Sequence, residues 1–166
     1  MEEKELEKYK TIKKVGNTLG KILLAIAIFI ILGIVALFAM VYISDNLGPG
    51  NVESVEKDYR TSQLYSKEDM DEAIEVIKEE YKKEVHFEGC TMNKVVYDGD
   101  EISTRELDYI KKRNPEYKEC ILFKTYSTRN KLKCFFDGWP EEEMFIFWLG
   151  REDGGNWEIV TSGTGY

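Results

Sequence analysis

The chain has 166 residues and a formal net charge of −8, with 33% charged and 13% aromatic residues. That is enough large apolar surface for a core, and it is not the composition of a disordered chain. The charge is divided unevenly, +2 over residues 1–43 and −10 from Ser44 onward; with no basic stripe to neutralise phosphates, no nucleic-acid partner is expected.

Residues 1–21 form a short tail of mixed charge. They precede ILLAIAIFIILGIVALFAMVYI at 22–43, a run without a charge, an amide or a proline. As a helix it would rise ~33 Å, about the thickness of a bilayer's hydrocarbon core. The run is too long for a secretory signal, ends without an A-x-A site, and has no cysteine close behind it to carry a lipid. It is also apolar all round, unlike the one-sided stripe of a surface helix. The reading is a retained signal anchor, a transmembrane helix that makes the membrane the first partner. Lys8, Lys10, Lys13, Lys14 and Lys21 precede the run and no basic residue follows it until Lys57. The positive-inside rule then puts the N-terminus in the cytosol and the C-terminal part outside the cell membrane, with Tyr42 at the outer boundary.

Residues 44–63 contain Gly48-Pro49-Gly50 and polar turn formers without periodicity, and read as a flexible linker. The domain is expected over 64–166. Ser66 with Asp69 three residues on resembles a capping box. Met70, Ala73, Ile74, Ile77 and Tyr81 follow at helical spacing, so a helix is predicted over 67–84. A strand is predicted at Cys90–Tyr97, ending at Asp98-Gly99-Asp100. A short helix over 104–112, opened by Ser103 with Glu106, should stop before Asn114-Pro115. Strands are predicted at 118–126, 132–136, 143–149 and 157–162, separated by Gly, Pro, Asn and Asp breaks. This order predicts an α+β domain in which a helix packs on a curved antiparallel sheet.

Three segments, LYSKEDMDEAIEVIKEEY, FEGCTMNKVVYD and NWEIVTSGTGY, occur in that order. Together they resemble a family of uncharacterised extracytoplasmic domains of Gram-positive bacteria. Those domains open with an acidic amphipathic helix, pass an F-x-G-C junction into a strand ending in Y-D, and close with W-x-(V/I) and a terminal G-Y. Residues 130–140 depart from the family's middle section. The resemblance implies a cone-shaped fold like that of nuclear transport factor 2 and ketosteroid isomerase, and no particular activity; that fold hosts both enzymes and binding modules.

His86-Phe-Glu-Gly-Cys90 contains the only histidine of the chain and one of its three cysteines. A Cys-His nucleophile would need an orienting group and an oxyanion site, neither of which is visible. A zinc site from His86, Cys90, Cys120 and Cys134 lacks the close paired spacings of structural zinc. The plainer reading is a helix-to-strand junction in which Phe87 packs, Gly89 turns and Cys90 begins the strand. An outward-facing domain permits a disulfide, for which Cys120 with Cys134 on apparently successive strands is the candidate pair, but three free thiols are the leading expectation. Asp98, Asp100 and Glu101 lack the full calcium-loop pattern, and Glu141-Glu142-Glu143 reads as a solvated turn. No cofactor, metal or catalytic residue is nominated. Trp139, Trp148 and Trp157 are core by default and a contact surface where exposed. The expectation is a non-catalytic binding or interaction module for an envelope protein or cell-surface component. The alternative is a small-molecule-binding or isomerase-like enzyme with a carboxylate in a cone cavity.

Overall fold

The computed structural model describes residues 2–164, apart from the side chains of Glu2, Glu3 and Thr11, so the terminal G-Y motif lies outside the described residues. Two compact units, Met1–Ile43 and Ser44–Tyr166, divide the chain. The first consists of most of α1, Glu2–Asp45, a helix that runs unbroken from the tail through the apolar run. Every side chain from Ile22 to Ile43 is exposed, Phe29 to 77% and Phe38 to 72%. By length and composition this helix can cross a membrane.

The second unit is α+β. Its remaining elements are β1 (Glu56–Asp58), α2 (Lys67–Lys83), a single 3-10 turn (Val85–Phe87), β2 (Cys90–Tyr97), α3 (Asp100–Arg113), β3 (Glu119–Arg129), α4 (Lys131–Asp137), β4 (Glu142–Arg151) and β5 (Glu158–Thr164). The strands form one sheet in sequence order, antiparallel except for β1, which runs parallel to β2. Parallel neighbours need a crossover, and α2 provides it.

α2 begins as its sequence predicts. Ser66 Oγ accepts from the Asp69 amide at 3.1 Å, and Asp69 Oδ2 accepts from the Ser66 amide at 3.1 Å, the reciprocal capping box. Its stripe of Met70, Ala73, Ile74, Ile77 and Tyr81 is buried against one sheet face, where Met92, Val95, Tyr97, Ile121, Phe123, Phe147 and Leu149 point inward. Val95 pairs with Thr125, and Phe123 with Phe147, so register places the apolar sets on the same side. α3 packs on the opposite face, where Ile110, Tyr117, Cys120, Leu122 and Ile146 form a smaller core.

Three expectations are corrected. Residues 44–63 are not a flexible linker but part of the domain. Asn51 donates its amide to Cys90 O and accepts from the Met92 amide, each at 2.9 Å; Val52 is buried, and residues 56–58 extend the sheet. The segment is held by groups distant in sequence, which local pattern does not reveal. Ser103 is not a cap: α3 starts at Asp100 behind Gly99, and Ser103 is buried inside it. Residues 132–136 are helix α4, not a strand. Asn130 caps it by accepting from the Leu132 amide at 2.9 Å, and Gly138 ends it in the left-handed region at φ 71°.

Two aspartates clamp the lead-in segment. Asp71 accepts from Lys57 Nζ at 2.6 Å and Tyr59 Oη at 2.7 Å, while Asp100 accepts from Ser62 Oγ at 2.6 Å, the Gln63 amide at 2.7 Å and Tyr97 Oη at 2.8 Å. The Lys57 ammonium chiefly holds the Asp71 carboxyl below its ordinary value, and the Ser62 hydroxyl does the same for Asp100. A carboxyl whose folded value is depressed contributes stability that is fully present above its unfolded value, ~3.9, and lost as pH falls through the folded one. Amide hydrogen exchange of residues 56–63, corrected for intrinsic rates, is therefore expected to lose protection below about pH 4 before β3 and β4 do. Release already at pH 6 would contradict these clamps.

Candidate functional site

His86 and Cys90 do not pair. The 3-10 turn and Gly89, at φ 67°, aim the Cys90 thiol at the carbonyls of His86 and Glu88, 3.9 and 3.8 Å away. His86 Nε2 lies 3.1 Å from Glu143 Oε1, whose other oxygen receives Arg129 Nη2 at 2.6 Å. Arg129 Nη1 also donates to His86 O at 3.3 Å, and its guanidinium lies 5.4 Å from the centre of the Trp139 ring. The Arg129 and Glu143 side chains are 2% and 8% exposed. Strand register puts Ser127 opposite Glu143 and Arg129 opposite Cys90, so this ion pair closes one end of the main core. A carboxylate engaged in this way is not a free general base, and the arrangement is a structural clamp. The sequence reading missed it because Arg129 and Glu143 are ordinary charged residues until register brings them together.

Among the described residues no His, Cys, Asp and Glu group is arranged to hold a metal ion. The candidate Cys120–Cys134 disulfide is excluded, and the leading expectation of free thiols stands. Cys120 lies at the start of β3, and Cys134 lies in α4 beyond its end. Nine strand residues span ~30 Å, against the ~7 Å limit between Cα atoms of a bridge. All three thiols are free. Burial pushes the Cys120 thiol up to about 12 and also raises that of Cys90.

The three tryptophans do not share a surface. Trp157 is buried at 4%, with Arg151 stacked 4.2 Å from its ring centre. Trp139 is 46% exposed beside His86. Trp148 is half-buried on the sheet face that carries α3. That face is only partly covered, and beside α3 it leaves a groove of about 340 Å³. Leu122, Met144, Ile146 and Trp148 line its sheet side and Ile102 its helix side, with Tyr126, 41% exposed, at its border. The Lys124–Asp98 pair at 2.7 Å and the Arg105–Glu106 pair at 3.0 Å supply its charges. The Trp148 indole N–H is buried without a hydrogen-bond partner, so this ring meets the groove through its apolar surface. An apolar groove with a few polar groups is suited to holding a ligand or peptide side chains and contains no nucleophile–base pair. Comparison with protein-family models, curated proteins and solved structures gives no match.

Removing one member of the buried ion pair leaves the other uncompensated, so Arg129→Met is expected to destabilise the domain by ~3–5 kcal/mol in urea titrations. The double change Arg129→Met with Glu143→Leu should recover most of that loss; no recovery would show that Arg129 acts through packing alone. In the native protein a maleimide should label Cys134 first, with Cys90 and Cys120 labelled only on unfolding, as read by mass spectrometry.

Proposed function

We propose that this chain is a single-pass membrane protein with a cytosolic N-terminus, whose residues 44–166 form an extracytoplasmic, non-catalytic binding module for an envelope protein or cell-surface component. The observation that carries the binding reading is the groove beside α3, apolar along its sheet side and bordered by the Lys124–Asp98 and Arg105–Glu106 pairs. The anchor reading is supported by the uniformly exposed apolar run of α1, a surface that water does not tolerate at this extent. A cone fold like that of nuclear transport factor 2 is consistent with a helix laid across an antiparallel sheet. The isomerase-like alternative would need open space between that helix and the sheet, and Tyr81, Phe87, Phe123 and Phe147 occupy it.

A photo-crosslinking residue at Tyr126 in intact cells tests the reading. A discrete adduct to an envelope component is expected, and Met144→Glu should abolish it without lowering the amount of protein. Protease added to intact cells should remove a C-terminal tag while a cytosolic control survives. A tag cut only after lysis would overturn the topology, and an adduct indifferent to Met144→Glu would overturn the groove as the binding site.

A further inference from the structure

α4 is unusual for its composition. Leu132, Cys134, Phe135 and Phe136 make four of its seven residues apolar, yet none of the seven is buried. Phe135 is 79% exposed and packs edge-to-face on Phe136, and Trp139 just beyond the helix is 46% exposed. Val85, 68% exposed, neighbours His86, whose ring lies 5.5 Å from that of Trp139. Among the described residues these are the exposed apolar side chains of α4 and of the turn beside it.

The backbone shows what lies near α4. Gly48 O accepts from the Gly89 amide at 3.0 Å, and Gly89 O accepts from the Asn130 amide, the cap of α4, at 2.9 Å. A Cβ at Gly89 would stand 2.6 Å from Leu47 Cδ1, so the fit between these two strands of chain is close. Gly48 is five residues beyond Ile43, the last residue of the apolar run, and so lies within ~17 Å of it whatever path the chain takes. α4 therefore begins two hydrogen bonds away from Gly48, which is joined to the end of that run by only five residues of chain. Aromatic rings with an amphipathic indole among them, flanked here by the exposed Lys131, are the side chains that settle at a membrane–water interface.

We infer that Phe135, Trp139 and Val85 rest in the headgroup region of the bilayer that α1 enters, so that the domain is docked on the lipid surface rather than free on a tether. This rests on the membrane-anchored reading. The occupant is a lipid surface recognised by apolar insertion; the carboxylates of Glu84, Glu88, Asp137 and Glu141 around the patch do not favour anionic lipid.

The test uses the full chain in phosphatidylcholine nanodiscs containing a lipid spin-labelled at a shallow acyl carbon. Lipid quenching of tryptophan emission is expected in the native chain and should be mostly lost in Trp139→Phe, because Trp157 is buried and Trp148 lies on another face. In the native chain, hydrogen exchange of residues 130–139 should be several-fold slower in nanodiscs than in detergent, a readout that needs no variant. Emission quenched by aqueous acrylamide alone, with exchange unchanged by the bilayer, would overturn the docking while leaving the anchor intact. Failure of the chain to incorporate into nanodiscs would overturn the anchor and the docking together. Protection already present in detergent and rising with protein concentration would identify a second copy as the occupant and reject the lipid.

Discussion

Tyr81 is the point on which the domain closes. It is the last buried position of α2, fully inaccessible, and its ring stacks on Phe87 at 4.1 Å and 15°. The lead-in segment can lie against it only because residue 50 is glycine: a Cβ there would fall 2.5 Å from the Tyr81 ring and 2.6 Å from its carbonyl oxygen. Once Gly50 is seated, Asn51 bonds to both sides of Cys90–Met92, Val52 is buried and β1 finds β2. One aromatic ring and one missing side chain thus turn an apparent tether into the edge of a sheet.

Two arginines maintain the arrangement from opposite ends. Arg151 reaches Asp69 of the α2 capping box at 3.0 Å and Glu119 of β3 at 2.7 Å while stacking on Trp157. It ties the helix start to the sheet. Arg129 with Glu143 closes the other end beneath His86 and Trp139. The Arg129–Glu143 pair is buried and the Arg151 pairs are partly exposed, and a buried pair recovers its desolvation cost only with good geometry. Here they fix the helix on one face and hold the 86–90 turn against the lead-in chain.

With α2 committed to one face, the other face is left to the shorter α3, which covers the Ile110–Cys120–Leu122 side and stops. The uncovered remainder is the groove. The same economy leaves α4 as a surface helix between β3 and β4. Both exposed apolar regions are therefore consequences of how few elements cover a five-stranded sheet.

Local signals were legible wherever a periodic stripe or a short-range cap decides the structure: the apolar run of α1, the capping box and stripe of α2, the strand at Cys90–Tyr97 and the turn at Gly89 were all readable in the sequence. Aromatic and β-branched composition misled at 132–136, where LKCFF looks like a strand but the Asn130 cap and the left-handed Gly138 enclose one helical turn after another. The clamps on residues 44–63, the Arg129–Glu143 pair, the separation of Cys120 from Cys134 and the division of the three tryptophans among different environments were decided only by tertiary structure. Each depends on strand register or on contacts between residues far apart in sequence, and a linear pattern of residue types carries no information about which distant partner a charge or a ring will meet.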